Sequence, residues 1–414
     1  MSARIIALAL LLAAGPLAAA DPTVGSVTQS NHRKENGRLI VRTPSILRIS
    51  KGGAPLHADT QAAIAQYDRV IELPAAPEVR AEAMRRAAYL RLRLALDQDT
   101  LDQPLVEQAI ALYTRVLAEH AGDAGNDLAL YQLARATQAI GNEDRAIAAL
   151  RQLGAQHPQS ALVADARFRA AELLYARQHY AEAASEYRAT VALGETSRYF
   201  GPARYKLGWS LYQQHEHREA LAVFLAILDG ALPAGALEDP VAALAAVPAA
   251  QAEFASEALR VSSLAFIALD GARGLDRYFD GANEPRFVIL LNIALADALR
   301  AQRRYSDAAQ VYTAFIDRHP QHARAPEFQQ RAIASYEEGG FTVPMLAAKA
   351  AYAERFAPGS GYWTAQKLAP PPAVIETLAR YGEDLARDHH ARAQQLAAGD
   401  PARKTTFAAA ADWY

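Results

Sequence analysis

Bulky apolar residues recur along this chain at the spacing of a helix, and the helices themselves recur. Ala109, Ala146, Ala183 and Ala220 stand 37 residues apart. Four residues after each comes a large side chain, Tyr113, Leu150, Tyr187 and Phe224, and three further on come Val116, Leu153, Thr190 and Ile227. The i, i+4, i+7 spacing sets each trio on one helix face, where the alanine admits a neighbouring helix closely. Upstream of each lies a second helical stretch, as in Leu130, Leu133, Ala134 and Thr137 or Arg204, Leu207, Gly208 and Leu211. Short turns join the two, at Gly141-Asn142 and at His215-Glu216-His217. Each unit reads as a helical hairpin, and the repetition predicts an all-α solenoid.

The pattern extends in both directions. Helices are predicted at Asp59 to Leu73, at Glu78 to Leu96 paired with Val106 to Glu119, at Ala325 to Glu338 paired with Pro344 to Phe356, and at Val374 to Leu396. Between Ala231 and Pro285 an Ala/Pro-rich loop precedes a strong helix near Glu253 to Leu269 and a short one around Arg273 to Phe279, as in a degenerate unit with a trimmed second helix. Phe407 to Tyr414 opens another second-helix pattern, with Ala409 and Trp413 in the alanine/large spacing. Helical stacks end in polar caps, so Trp413 and Tyr414 at the end of the chain lead us to expect a fragment, or further repeats or a catalytic domain beyond residue 414.

These residues resemble the tetratricopeptide repeat family, whose pattern has large residues at repeat positions 4, 7, 11 and 24, small ones at 8 and 20, and Pro at 32. A unit from Asp127 places Leu130, Leu133, Ala134, Ala146, Leu150 and Pro158 at 4, 7, 8, 20, 24 and 32. One from Ile289 places Leu295, Ala296, Leu299, Tyr305, Ala308, Tyr312, Phe315 and Pro320 at 7, 8, 11, 17, 20, 24, 27 and 32. Units from Ala164 (Ala171, Tyr180, Ala183, Tyr187) and Gly201 (Leu207, Gly208, Ala220, Phe224) follow the same scheme. The 37-residue period exceeds the family's usual 34, so longer turns between units are expected. The resemblance implies a right-handed superhelical solenoid of antiparallel hairpins. The organisation expected is a leader over 1–20, a basic irregular segment over 21–58, repeats over 59–230, a loop and degenerate repeat over 231–288, and repeats over 289–414.

The first twenty residues lack the repeat. Arg4, the apolar run Ile5 to Ala14, the break at Gly15-Pro16 and Ala18-Ala19-Ala20 have the order of a cleaved export signal, with cleavage before Asp21. No later stretch is long and apolar enough for a transmembrane helix, so a periplasmic or extracellular chain is expected. The sequence contains no cysteine, which excludes disulfides, thiolate chemistry and a lipid anchor on an N-terminal Cys. Its 43 Lys+Arg against 45 Asp+Glu argue against nucleic-acid binding by bulk charge. Charge is uneven only near the start. Arg33, Lys34, Arg38, Arg42, Arg48 and Lys51 form a basic run, with a short strand suggested at Leu39-Ile40-Val41. That run is either a solvated leader or an arm for an acidic partner or an anionic envelope polymer.

Signatures of catalysis are missing from the sequence: no Gly-x-Ser-x-Gly elbow, no phosphate-binding Gly-Lys-Ser/Thr loop, no dinucleotide fingerprint and no His-Glu-x-x-His. His215 with His217 and His319 with His322 lack the carboxylates that would complete a metal set, and His389-His390 diverge on a helix. No cofactor or metal is therefore expected. The resemblance instead directs attention to a concave groove lined by repeat positions 2, 5, 6, 9, 12 and 13. Those positions hold Tyr131 and Arg135, then Phe168, Arg169 and Tyr175, then Tyr205, Lys206, Trp209 and Tyr212, with Ile293, Asp297 and Arg300 in the later unit. Aromatics interleaved with Arg and Lys suit an extended peptide, although the same rings could pack between helices. Only Arg169 and Lys206 fit the family's clamp for a terminal carboxylate. The reading is a non-catalytic periplasmic scaffold that binds protein or peptide partners in an envelope assembly or motor complex. The alternatives are a helical superhelix preceding a peptidoglycan-active, lytic-transglycosylase-like domain beyond residue 414, or an accessory factor of polysaccharide export or outer-membrane assembly.

Overall fold

A computed structural model of the chain describes residues 32–35, 38–41, 57–97, 101–233, 240–280 and 283–414. The leader over 1–20, the side chains of the basic run over 33–51 and the loop over 234–239 lie outside the described residues. Ahead of the helices, strand β1 (His32–Glu35) pairs antiparallel with β2 (Arg38–Val41), His32 opposite Val41 and Glu35 opposite Arg38. The helical remainder falls into two compact units, residues 1–203 and 204–414.

In the first unit, α1 (His57–Glu72), α2 (Pro77–Leu96), α3 (Gln103–Glu119), α4 (Asn126–Ala139), α5 (Glu143–Gln156), α6 (Val163–Ala176) and α7 (Tyr180–Val191) each pack on the next helix along the chain, up to α7. Helix α8 (Phe200–Gln213) begins here and continues into the second unit. There follow α9 (His217–Ala231), the short α10 (Pro240–Ala245), α11 (Ala249–Ala268), α12 (Gly271–Phe279), α13 (Val288–Ala301), α14 (Tyr305–Arg318), α15 (Ala325–Glu338), α16 (Thr342–Phe356), the short α17 (Gly361–Gln366), α18 (Pro372–Gln395) and α19 (Pro401–Trp413). Helix α11 packs on both α9 and α13, and the nine-residue α12 reaches α14. The solenoid-type stacking of hairpins holds within each unit.

The alanine/large pattern is the core of this stacking. Ala109, Ala146, Ala183, Ala220 and Ala308 are shut off from solvent, as are Tyr113, Leu150, Tyr187, Phe224 and Tyr312 four residues on. The third member varies. Val116, Leu153 and Phe315 are buried apolar residues, and the buried Thr190 hydroxyl donates to the Glu186 carbonyl at 2.8 Å. On α9 the third enclosed position falls one residue later than expected: Leu228 is enclosed and Ile227 is half-buried. On α19 the same shift buries Ala410 and leaves Ala409 and Trp413 partly exposed.

A single left-handed residue makes the turn inside five hairpins. Gly141, Gln178 and His215 have φ of 78, 63 and 63°, and Arg303 and Gly340 have 60 and 72°. The hydrogen bonds around them are those of a Schellman motif. Asn142 N donates to Thr137 O at 2.8 Å and Gly141 N to Gln138 O at 3.0 Å, while His179 N donates to Leu174 O at 2.9 Å and Gln178 N to Tyr175 O at 3.0 Å. His215, noted in the sequence as a possible ligand, occupies this turn position, with Glu216 N donating to Leu211 O at 3.0 Å. At the other ends, α5 and α14 stop two residues before Pro158 and Pro320, since proline lacks the donor and clashes with a preceding helical turn.

Two pairs of glycine substitutions test this account by chemical denaturation. Gly141→Ala should cost about 1 kcal/mol, because a Cβ there meets no atom and only the left-handed backbone is strained, whereas Gln178→Gly should be neutral or stabilising by up to ~1 kcal/mol. On α8 a Cβ at Gly208 would lie 2.7 Å from the Phe224 ring, so Gly208→Ala should cost roughly 1–3 kcal/mol through overpacking. Gly201 has open space around it, and Gly201→Ala should gain about 0.5–1 kcal/mol. Equal effects within either pair would contradict the packing described.

Candidate interaction site

The first helices of the hairpins carry the predicted groove residues, and in the first unit a buried carboxylate organises them. Asp165 lies in the opening turn of α6, where the helix N-terminus favours negative charge, and it is only 3% exposed. It accepts hydrogen bonds from the Tyr131 hydroxyl on α4 and from the Tyr199 hydroxyl at 2.6 Å. Arg169, one turn along α6, completes the set with Nε 3.2 Å from the carboxylate. The partners Tyr131, Asp165 and Tyr199 are 34 residues apart in sequence, so one residue from each of three successive repeats meets here. Burial, and then the bond to Asp165, pushes the Tyr131 phenol up to about 12. The Tyr199 phenol is raised by the same two causes in the same order.

Around this centre the predicted residues take different roles. Phe168 is closed to solvent, stacked on Tyr199 with centroids 5.0 Å apart and edge-on to Tyr187 at 5.8 Å. Its ring has no area left for a ligand, and the expectation that it lines a groove gives way to a packing role. Tyr131 is also buried, with the Arg169 guanidinium 5.6 Å from its ring centre. Arg135 is half-buried and donates to Gln132 at 3.1 Å. Tyr175, likewise half-buried, stands edge-on to Tyr180 at 5.3 Å. Glu172 accepts the Tyr187 hydroxyl.

The second unit repeats the division. Tyr205 is enclosed by Phe224 and Phe254, at 6.3 and 5.5 Å, and is corrected to a core residue for the same reason as Phe168. Trp209 is 9% exposed, with Tyr212 edge-on at 5.6 Å and the Arg260 guanidinium 5.7 Å above its ring. The buried Glu257 orients Arg260 through a 2.9 Å bond. Lys206 and Tyr212 are half-buried, and burial raises the Tyr212 phenol. In the later repeat Ile293 is half-buried, Arg300 pairs with Glu338, and Asp297 lies 3.9 Å from Arg300. Sequence reasoning passed over Asp165, Tyr199, Glu257 and Arg260. Only the 34-residue spacing of Tyr131, Asp165 and Tyr199 offered a signal.

Other candidate chemistry can be placed as well. The His215 and His217 rings stand 5.8 Å apart, edge to face. His319 contacts Glu284 at 2.6 Å, while Arg318 joins Glu284 to Asp276 on α12. Among the described residues no three His, Asp or Glu side chains converge as a metal set, and no helix is long and apolar enough to cross a membrane.

The sequence matches profiles described as tetratricopeptide repeat over residues 106–167 and again over 294–322. Hairpin, Schellman turn and alanine/large packing coincide in both segments. The chain carries tetratricopeptide repeats in these two segments. Such repeats imply a protein-interaction scaffold, and that coarse function applies here. Comparison with curated proteins finds no match. Among solved structures, similarity extends to a chain of the Naa15/Naa10 complex bound to HypK-THB, at 17% identity over 87% of this chain and 50% of that one, with a TM-score of 0.40. The chain thus spans about half the length of that relative. It is also similar to the C-terminal part of a TPR repeat-containing protein from Cytophaga hutchinsonii (13% identity, 65% and 94% covered, TM-score 0.34). A tetratricopeptide repeat protein from Parabacteroides merdae is a further likeness (13%, 69% and 98%, 0.29). At these scores the likenesses carry no information on partners.

The Asp165 centre makes a pH prediction. A phenol whose folded pKa lies above its unfolded value contributes stability that is complete below pH 10 and is lost as pH rises toward about 12. The unfolding free energy should therefore fall above pH 10, and less steeply in Tyr131→Phe, by an amount on the order of 2 kcal/mol at most. Asp165→Asn should cost about 2–4 kcal/mol at neutral pH, because three donors lose a charged acceptor. A double-mutant cycle with Tyr131→Phe should be non-additive. Additive effects, or unchanged alkaline slopes, would remove Asp165 from its central role.

Proposed function

We propose that the chain is an exported, non-catalytic scaffold that presents the first-helix faces of its repeats to protein partners in a cell-envelope assembly or motor complex. The observation that carries this reading is the division of labour on those helices. Rings such as Phe168 and Tyr205 are used up in packing, while the half-buried Arg135, Arg169, Tyr175, Lys206 and Tyr212 stand at the edge of the solvent. Rigidly backed Arg and Tyr side chains are the residue types that carry binding energy at protein interfaces. Export is supported by the order of charge, apolar run and small residues in the first twenty positions. The basic run over 33–51 is part of the proposal as a contact for an anionic envelope polymer.

Two measurements test it. Expressed with a C-terminal tag in a Gram-negative host, the chain should appear in the periplasmic fraction with a new N-terminus at Asp21, and deletion of residues 2–20 should hold it in the cytoplasm. Recovery of the full-length chain from the cytoplasm would refute export. In-cell photocrosslinking from Tyr175 and Tyr212 should give discrete protein adducts, and the absence of any adduct from either position would refute the scaffold reading.

A further inference from the structure

Four of the turns that lead from one hairpin into the next share a polar device. A side chain just ahead of the incoming first helix accepts the backbone N–H two residues on. Asp123 accepts from Gly125 at 2.8 Å, Ser160 from Leu162 at 3.2 Å and Ser197 from Tyr199 at 3.3 Å. These three acceptors stand 37 residues apart, and the carbonyl of each also accepts the N–H three residues on. In the turn between α14 and α15 the place is held by His322. Its Nδ1 accepts from Arg324 N at 3.1 Å, and its carbonyl accepts from Ala325 N at 2.9 Å. A serine hydroxyl keeps its lone pairs at any ordinary pH, and an aspartate stays ionised above about pH 4. An imidazole accepts at Nδ1 only in the neutral ring with its proton on Nε2, and loses that capacity when it takes up a second proton.

The surroundings of His322 favour the neutral ring. Burial, and then the charges of His319 and Arg324, hold its pKa below the ordinary imidazole value. On α15, Glu327 is already engaged by Arg324 at 2.6 Å and by Arg331 at 2.8 Å. On α14, Arg318 joins Glu284 to Asp276 of α12, and the Phe315 ring centre lies 5.2 Å from that of His322. From α17 the Tyr362 hydroxyl donates to the carbonyls of His322 and Ala323, at 3.0 and 3.3 Å, and Gln366 donates to Gln321 O. The turn is therefore the seat on which α17 rests, with Tyr362 and Trp363 buried beside it. His319 differs from His322. Its Nε2 lies 2.6 Å from Glu284, a contact in which the ring can donate whether neutral or protonated.

We propose that His322 is an acid-sensitive latch: protonation at Nδ1 ends its bond to Arg324 N, loosens the turn over 319–324 and releases α17, while the hairpins stay stacked. The added proton would stand against the Arg324 N–H, which points at the same nitrogen. Because burial holds the folded pKa below the unfolded one, the latch contributes fully above about pH 6.5 and its contribution is lost as pH falls below that. Opening is local, since the buried alanine/large contacts between helices take up no proton. It uncovers Tyr362 and Trp363 next to Leu368, which is already exposed, so acid makes an apolar surface available on the second unit.

The test is hydrogen exchange of the full chain read by mass spectrometry, at about pH 7.5 and about pH 5 and corrected for the intrinsic effect of pH on exchange. Peptides covering 319–326 and α17 should lose protection at least about threefold in acid, while the Ser197 turn in the same sample should not change. His322→Asn puts an amide oxygen in reach of the same N–H and should keep both segments protected at either pH. His322→Ala, with no acceptor, should leave them open at both. His319→Gln should keep the acid response. Protection independent of pH in the wild-type chain, an acid response that survives in His322→Asn or disappears in His319→Gln, or equal loosening at the Ser197 turn would each overturn the proposal. Should the Asn variant lose its helical circular dichroism, His322→Ser installs the residue of two other turns in its place, and the comparison of the two turns within the wild-type chain stands without either variant.

Discussion

Five hairpins of this protein have more apolar surface than they can cover alone, and what lets a neighbour cover it is an alanine at one fixed place on the second helix. Ala109, Ala146, Ala183, Ala220 and Ala308 end at Cβ, so another helix can lie almost against the backbone there. The large side chain four residues on then fills the space beside that approach. Tyr113, Tyr187, Phe224 and Tyr312 are among the largest side chains fully removed from water. The fit is tight where α8 supplies Gly208 against the Phe224 ring, a contact with no room for one further carbon. Stability built this way is close to a sum over neighbouring units, and no hairpin is expected to be stable by itself.

Such stacking fixes distance but leaves rotation between units loosely determined, because apolar contacts have no direction. Two kinds of polar device supply it. Inside the hairpins, the Schellman turns at Gly141, Gln178, His215, Arg303 and Gly340 set the same exit geometry whatever residue occupies the left-handed position. Between hairpins, directional bonds join residues about one repeat apart: Arg151 to Glu186 at 2.8 Å, Lys349 to Asp384 at 2.7 Å, and the Tyr131–Asp165–Tyr199 centre. Exposed pairs add little to stability, but a buried, fully bonded carboxylate penalises any rotation that would break its bonds.

Helix existence and pairing were legible because the apolar period is strong and repeats: α2 with α3, α4 with α5, α6 with α7 and the trimmed α12 follow from it directly. The six-residue α10 and α17 escaped, being too short to complete two turns of a period and bounded by Pro and Gly. Tyr362 and Trp363 make α17 a plug: the indole donates to Phe356 O at 2.8 Å, and the Tyr362 hydroxyl donates to His322 O at 3.0 Å, a long-range contact that periodicity does not encode. The groove was less legible. First helices are packed on two sides, so a ring at a nominal groove position can turn inward, as Phe168 and Tyr205 do. Asp165 was invisible for the opposite reason, since a hydrophobic pattern has no symbol for a polar residue at the core.

The inward turn of those rings bears on how such a protein can recognise anything. A helix that must feed both core and binding face cannot let one aromatic serve both, because a ring enclosed on all sides has no contact area left. Longer side chains escape the conflict: the stem of an arginine can lie along a buried ring while its guanidinium reaches solvent. Arg169 over Tyr131 and Arg260 over Trp209 show this arrangement in separate units, each with a buried carboxylate, Asp165 or Glu257, steering the guanidinium. The carboxylate neutralises part of the charge but holds the fork in place.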